Sequence, residues 1–406
     1  MDKKNLSFSC LFLLFIFLTT SSPAQDESLK FELQDGERVV FLGNSLFENE
    51  QQFNFLELAL TSRWPERKIS FRNLGWSGDT VFGEARSYYT SPPSAYELLI
   101  DQLSKTQPDI VFLAYGGIEA LDNSISPTNF RDGLERLLDT IQNLGAQPLL
   151  LSPIPRFKGV RPELLKFQNE KLVQYGKIIS NTGSERNIPF LDIYTSLLET
   201  GEKIQLSDNG FHLNEAGYDH LTRRVENLLG LSRTPWTVSI NAKTMQTDSN
   251  QKVTIFGNDL KDITLEFEVE DDILPLVPSG EAFSTATNTM NLIISGLKKG
   301  TYQLTIDGRL AAVGTAKAWA KGINLQEEGS IQQSIKLRKL IHQKDEVYFH
   351  QYRPQNRTYI IGFRSYEQGR HKKGLEDLDV LLNWLEGQIH HYKNPSSYTY
   401  RLSPIE

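Results

Sequence analysis

Cysteine is almost missing from this chain of 406 residues: there is one, Cys10, inside an apolar run near the start. Beyond it no thiol exists, so disulfides, cysteine nucleophiles and cysteine-held zinc are excluded there. Cys10 opens the run rather than following it, the wrong place for a lipid-modified cysteine. Histidine is scarce, with seven copies, and methionine scarcer, with three. No apolar stretch is long enough for a membrane helix. Neither charge sign dominates: 43 Lys+Arg and 50 Asp+Glu are mixed throughout for a net charge of -7, which argues against a nucleic-acid surface. Internal repeats and low-complexity tracts are also lacking. A hydrophobic content of 39% and a mean hydropathy of -0.37 are those of a soluble protein.

What is present begins with a targeting pattern. Lys3 and Lys4 precede the apolar run 10–18, and Ser22-Pro23-Ala24 supplies small residues for cleavage. Residues 1–24 therefore read as a signal peptide, cut after Ala24, which predicts export to the periplasm or beyond the cell. The remaining length suits two or three domains.

From 29 to 229, short apolar runs alternate with helical patterns. Strands are expected at 38–42, 69–73, 110–115, 148–152 and 188–193, nearly all apolar, as strands buried on both faces should be. Leu134, Leu137, Leu138, Ile141 and Leu144 repeat at helical spacing before a stop at Gly145, and Leu165, Leu172 and Ile179 line another helix. Alternation of this kind predicts a parallel sheet with helices on both faces, and ligands beyond the carboxyl ends of the strands. After Pro235 the pattern changes to strands at 238–240, 253–256, around Leu265, Phe267 and Val269, and at 292–294 and 302–306, with turns at Gly257-Asn258, Gly296 and Asp307-Gly308. A small β-sandwich is expected. From about Gly322 the chain reads as helical again, with Leu375, Leu378, Leu382, Leu385 and Ile389 on one stripe. The expected units are thus 25–232, 233–321 and a C-terminal helical segment 322–406 packed on the other two.

Candidate chemistry lies at the strand ends. Val39-Val40-Phe41-Leu42-Gly43-Asn44-Ser45 is an apolar run, a glycine and then a serine opening a new segment. Ser45 reads either as a nucleophile or, with Glu48, as a capping box. His212 follows the fifth strand, with Asp208 four residues before it, a spacing from which an acid can orient the ring. It reads as the base for Ser45 or as a loop histidine beside an Asp-Asn-Gly turn. The other histidines lie in charged or amphipathic sequence. Asn73-Leu74-Gly75-Trp76-Ser77-Gly78-Asp79 and Tyr115-Gly116-Gly117-Ile118-Glu119 follow the second and third strands, where glycines bring backbone N–H groups near a developing oxyanion.

Four such sites in this order resemble the GDSL/SGNH hydrolase superfamily, whose blocks carry a serine, a glycine, an asparagine and a histidine. Gly43-Asn44-Ser45-Leu46 looks like the first block, with Asn44 where aspartate is usual; the second places the oxyanion glycine at Gly78. Tyr115-Gly116-Gly117-Ile118-Glu119 looks like the third and Asp208-Asn209-Gly210-Phe211-His212-Leu213-Asn214 the last. Arg353-Pro354-Gln355-Asn356-Arg357-Thr358-Tyr359, Gly362-Phe363-Arg364 and Glu367-Gln368-Gly369, with Trp319-Ala320-Lys321-Gly322, are similar to a signature of one secreted bacterial branch. Read from the residues alone, that polar stretch braces domains or contacts substrate.

The resemblance implies a flavodoxin-like three-layer α/β fold and a serine esterase without metal or organic cofactor. Ser45, His212 and Asp208 would be catalytic, and the N–H groups of Ser45 and Gly78 would form the oxyanion hole. Asn44, Asn209, Ile118 and Glu119 would sit at the pocket. It also implies an acetylated carbohydrate or small ester as substrate. Trp76, Tyr88 and Tyr89 would stack on sugar rings or serve as packing.

Two departures stand out. Ile118 replaces the third-block asparagine and has no hydrogen bond to give, and Asn209 replaces the usual aspartate three residues before His212. They open a second expectation, a catalytically impaired relative that binds carbohydrate. A third is an adhesion role for the β unit at 235–320. Subunit number is not readable from the sequence.

Overall fold

The computed structural model describes residues 31–86, 93–158, 161–234, 236–259, 264–277, 290–325, 329–353 and 370–405. The expected leader 1–24, Tyr88, Tyr89 and the signature residues 354–369 lie outside the described residues.

Five strands, β1 (Arg38–Gly43), β2 (Ser70–Asn73), β3 (Ile110–Ala114), β4 (Gln147–Leu151) and β5 (Phe190–Leu191), form a parallel sheet in the order β2-β1-β3-β4-β5. This is the flavodoxin-like order. All of β3 is buried, as is β1 apart from Arg38. Side chains alternate between two cores, Val39 and Phe41 entering one and Val40 and Leu42 the other. The first core is closed by α1 (Ser45–Phe53), α2 (Phe55–Arg63), α6 (Tyr194–Gly201) and α7 (Glu215–Leu228). The second is closed by α3 (Ala95–Thr106), α4 (Pro127–Asn143) and α5 (Pro162–Arg186). In α4 the apolar repeat behaves as its spacing predicts: Leu134, Leu137, Leu138 and Ile141 are buried. Ser126 caps the start, Pro127 sits in the first turn, and Gly145 at φ +84° follows the end.

The second unit is a sandwich on one core. Its strands are β6 (Thr237–Asn241), β7 (Gln246–Ser249), β8 (Lys252–Asp259), β9 (Thr264–Glu270), β10 (Met290–Ser295), β11 (Thr301–Ile306) and β12 (Arg309–Thr315), followed by α8 (Ala316–Lys321) and β13 (Ile323–Leu325). Then come α9 (Ser330–Tyr352), α10 (Arg370–Tyr392) and β14 (Tyr398–Pro404). The sheets run β13-β10-β6-β7 and β12-β11-β14-β9-β8.

The expectation of a purely helical last segment is corrected here. β13 lies at the edge of one sheet, and β14 lies between β11 and β9 in the middle of the other. Tyr400 and Leu402 of β14 are buried in the sandwich core, while Thr399 and Arg401 point outward.

The helices α9 and α10 lie in sequence between β13 and β14 and pack on the first unit. Leu337 and Ile341 of α9 and Ile389 of α10 meet Leu58 and Ala59 of α2. Buried Lys344 of α9 is paired with Glu57 of α2 and donates to the carbonyl of Phe71 in β2. Arg72 of β2 is paired with Glu386 of α10. Arg233 ties the interunit connection by donating to Glu226 at 2.9 Å and to the carbonyls of Leu274 and Ala59 at 2.7 and 3.0 Å.

Candidate active site

The site lies where β1, β3, β4 and the chain after β5 end on one edge of the parallel sheet. β1 closes against β3 without room for a side chain at Gly43, where a Cβ would stand 2.5 Å from the carbonyl of Ala114. The chain then turns into α1. Asn44, not Ser45, is the cap: its Oδ1 accepts from the N–H of Leu46 at 3.1 Å. The capping box considered for Ser45 and Glu48 does not form: Asn44 is the cap, and Glu48 turns to the second loop. Ser45 is the first residue of α1, partly exposed, and its hydroxyl has no hydrogen-bond partner among the described residues. Its N–H belongs to the orphan donors of a helix start.

The second loop is held against α1. Asn73 Nδ2 donates to the carbonyl of Phe47 at 2.7 Å, and its Oδ1 accepts from the N–H of Gly75 at 2.9 Å. A Cβ at Gly75 would lie 2.2 Å from the backbone nitrogen of Glu48, so only glycine allows this approach. Glu48 reaches back to accept from the N–H of Ser77. Gly78 has φ +80° and open space where a side chain would be. Among the described residues nothing accepts from its N–H or from that of Ser45. Asp79 anchors the loop from below, accepting from fully buried Arg86 at 2.8 Å and from the Tyr115 hydroxyl at 2.9 Å.

Ile118 and Asn44 line one small pocket with Ser45, as the pattern of the third block predicts. Glu119 sits differently from its expected place at the pocket. It is fully buried, and its carboxylate oxygens accept from the N–H groups of Val81 at 2.9 Å and Gly116 at 2.8 Å. It ties the third loop to the second instead of facing the pocket. Burial pushes its carboxyl up to about 7, against the pull of those N–H groups.

The histidine loop gives the sharpest departure. Asp208 does not hydrogen-bond to the ring: its Oδ1 accepts from Gln205 Nε2 at 3.1 Å and Asn214 Nδ2 at 3.0 Å. The ring partner is Asn209, whose Nδ2 lies 3.2 Å from His212 Nδ1. The amide cannot be turned over at no cost, because Asn209 Oδ1 accepts from the N–H groups of Phe211 and His212, both at 2.9 Å. Nδ2 therefore donates to Nδ1, and the ring proton resides on Nε2. That is the tautomer opposite to the one a base for serine needs. Burial lowers the pKa of His212, the Arg156 charge lowers it further, and Glu48 acts the other way. His212 is exposed, and no hydrogen bond joins it to Ser45. Such bonds are often long before substrate arrives.

Arg156 is a pocket residue that the sequence reading did not single out. It follows β4 by five positions, at the edge where ligands of such sheets bind, and that rule is the signal that points to it. Its Nη1 donates to the carbonyl of Phe211 at 3.1 Å, and its guanidinium lies 4.9 Å from that ring centre. Trp76 is 4% exposed and sits between Arg86 and Arg353, at 5.1 and 4.0 Å, so it is packing rather than a sugar platform. Arg353, the one described residue of 353–369, donates to Glu48 at 2.7 Å and so braces the first block. Among the described residues no cluster of His, Cys, Asp and Glu is arranged to hold a metal ion.

Residues 41–220 match the model of the GDSL-like Lipase/Acylhydrolase family. No curated protein sequence matches the chain. Among solved structures, the chain is similar to a gut microbial diltiazem-metabolizing enzyme, with 16% identity and a TM-score of 0.70 over 94% of this chain and 100% of the other. At that identity the likeness is one of fold. An acetylxylan esterase from Geobacillus stearothermophilus overlaps 50% of this chain and 100% of its own length, with 19% identity and a TM-score of 0.41. An alpha/beta hydrolase enzyme from the metagenome of Lake Arreo, Spain, overlaps 50% of this chain and 99% of its own, with 16% identity and a TM-score of 0.40. Over residues 41–220 the chain is thus similar to the GDSL-like Lipase/Acylhydrolase family, and it is a serine hydrolase acting on ester bonds.

Proposed function

We propose that the protein is an exported esterase that removes small acyl groups, acetyl first among them, from a carbohydrate. The observation that carries this reading is Ser45, which lines a small pocket at the start of α1 with its hydroxyl and N–H free of partners among the described residues, beside a second loop held against α1 that offers the Gly78 N–H, also free of acceptors among them. The pocket is small, about 30 Å³, which favours the methyl end of an acetyl group. In the first half of the reaction His212 Nε2 takes the hydroxyl proton as Ser45 Oγ attacks the ester carbonyl. The two N–H groups hold the oxyanion, and the alkoxide leaves with the proton from His212. In the second half water attacks the acyl-serine, again with His212 as base, releasing acetate and Ser45.

The ring must first move its proton from Nε2 to Nδ1, which turns Nδ1–H toward the donor Nδ2 of Asn209. Ile118 adds no donor to the hole. These two residues favour a second reading, an impaired relative that retains the pocket and binds carbohydrate. Hydrolysis of 4-nitrophenyl acetate by the chain from residue 25 onward, beside Ser45→Ala, separates the two. Turnover abolished by Ser45→Ala is expected. A rate unchanged by that substitution sinks the esterase reading and leaves binding.

A further inference from the structure

Arg156 has a cationic side chain at the Ser45 pocket with no acid among the described residues to answer it. Its backbone is fixed: its N–H donates to Asn169 Oδ1 at 2.8 Å, and its carbonyl accepts from Asn169 Nδ2 at 3.1 Å. The next residue continues the clamp, Phe157 N–H donating to the carbonyl of Gly210 at 3.0 Å. The guanidinium is thereby aimed between α5 and the histidine loop. One nitrogen, Nη1, is occupied by the Phe211 carbonyl, while Nε is buried without a partner. Among the described residues no carboxylate lies within ion-pair distance of it.

Other inward-reaching arginines differ. Arg72, Arg86, Arg233 and Arg353 are each paired with an acid: Glu386, Asp79, Glu226 and Glu48. Burial alone lowers the pKa of Arg156, with no nearby carboxylate offsetting it. Glu48, the acid that acts on His212 from the other side, is already engaged by Arg353 and by the N–H of Ser77. In a chain of net charge -7, an unanswered guanidinium in a partly dry pocket is costly unless a ligand supplies the counter-charge. A guanidinium's planar fork matches a carboxylate, two N–H groups to two oxygens.

We propose that Arg156 reads a carboxylate on the substrate, so that the ester cleaved at Ser45 is carried by an acidic molecule, a uronate-bearing carbohydrate being the fitting class. This rests on the esterase reading for the identity of the scissile bond, but not for the recognition itself.

The test is equilibrium binding to the Ser45→Ala protein by calorimetry, which needs no turnover. The probes are an acetylated oligogalacturonide and the same oligosaccharide with its carboxylates reduced to alcohols. Reduction is expected to weaken binding by about 10- to 100-fold, the scale of a charge-assisted hydrogen bond. With Arg156→Gln added, the two probes should bind alike, and with Arg156→Lys part of the preference should return. Acetylsalicylate, a carboxylate without a sugar, distinguishes recognition of the anion from recognition of the glycan: it should compete, more weakly than the oligosaccharide.

Equal binding of both oligosaccharides to the Ser45→Ala protein, or binding of neither, overturns the proposal. So does an Arg156→Gln variant that weakens both probes equally, which would make the residue a prop for the Phe211 carbonyl. The esterase reading is judged separately: 4-nitrophenyl acetate turnover that vanishes in Ser45→Ala survives any of these failures.

Discussion

At the scale of single residues, the proposed catalytic site departs from the superfamily pattern at two positions whose effects are separable. Asn209 presents a donor to a ring nitrogen that should itself donate. Asn209→Asp replaces that donor with an acceptor while keeping acceptors for the N–H groups of Phe211 and His212. It should raise kcat on 4-nitrophenyl acetate by as much as about 10⁴-fold, the scale of a wrong-tautomer penalty in a serine triad. The His212 ¹⁵N shifts should change from protonated Nε2 to protonated Nδ1. A rate gain without that change would mean that tautomer control is not the cause. Ile118→Asn supplies a missing oxyanion donor, worth up to roughly 10²–10³-fold. Both substitutions were suggested by sequence alone, since block spacing marks the expected positions. Which acid meets the ring was not legible. Spacing pointed to Asp208, and only the loop's own hydrogen bonds turn Asp208 toward Asn214 and leave the ring to Asn209. Glu119 shows the same limit, because its neighbours in sequence gave no sign that it is fully buried. Its carboxyl, pushed up to about 7 by burial, keeps a proton in the folded protein that the unfolded chain releases near its ordinary value of 4.5. The folded state thus binds more protons between those values, and stability falls as pH rises from about 4.5 to about 7, by on the order of 3 kcal/mol. Urea unfolding of wild type and Glu119→Gln across that range should show the fall in the first and not in the second. Parallel curves would assign the dependence to other groups.

At the scale of elements, the sheet edge is precise because its loops are tied to one another rather than to solvent. Asp79, Arg86 and Tyr115 bind the second loop to the third strand's end, and Glu119 closes the same span through Val81. The strands were legible from their unbroken apolar runs, and α4 from its spacing and its stop. The short β5 was the least well bounded, since only Phe190 and Leu191 pair. Helix α9 is also held by charge. Lys344, 1% exposed, satisfies Glu57 and lies 2.9 Å from Asp345 Oδ1. Lys344→Ala should leave two buried carboxylates without their cation and lower stability by about 3–5 kcal/mol in chemical denaturation. Lys344→Met combined with Glu57→Gln should recover much of that loss. Equal damage from the single and double variants would show that packing, not charge, holds the helix.

At the scale of the whole molecule, the hydrolase unit was readable almost entirely and the rest only in part. Between 237 and 306 the patterns of β6, β8, β9, β10 and β11 were visible, and that of β7 was not. β14 was not, because a central antiparallel strand of Tyr, Thr, Arg and Leu looks like polar tail sequence until its partners are known. A chain stopped before Tyr398 should lose the sandwich as a cooperative unit while β1–β5 remain folded. Hydrogen exchange should show protection retained at 110–114 and lost at 265–269 and 302–306. Retained protection in the last two would mean that β11 and β9 close without the strand between them. The position of β14 also changes what the α9–α10 hairpin is. One end leaves from β13 and the other returns into β14, so the pair is an insertion whose two ends are fixed in the sandwich. The sandwich therefore acts as a clasp. By holding both ends it presents Lys344, Arg353 and Glu386 to the hydrolase unit at the high effective concentration of an intramolecular contact, so that a domain remote in sequence from Ser45 helps keep the wall of its pocket in place.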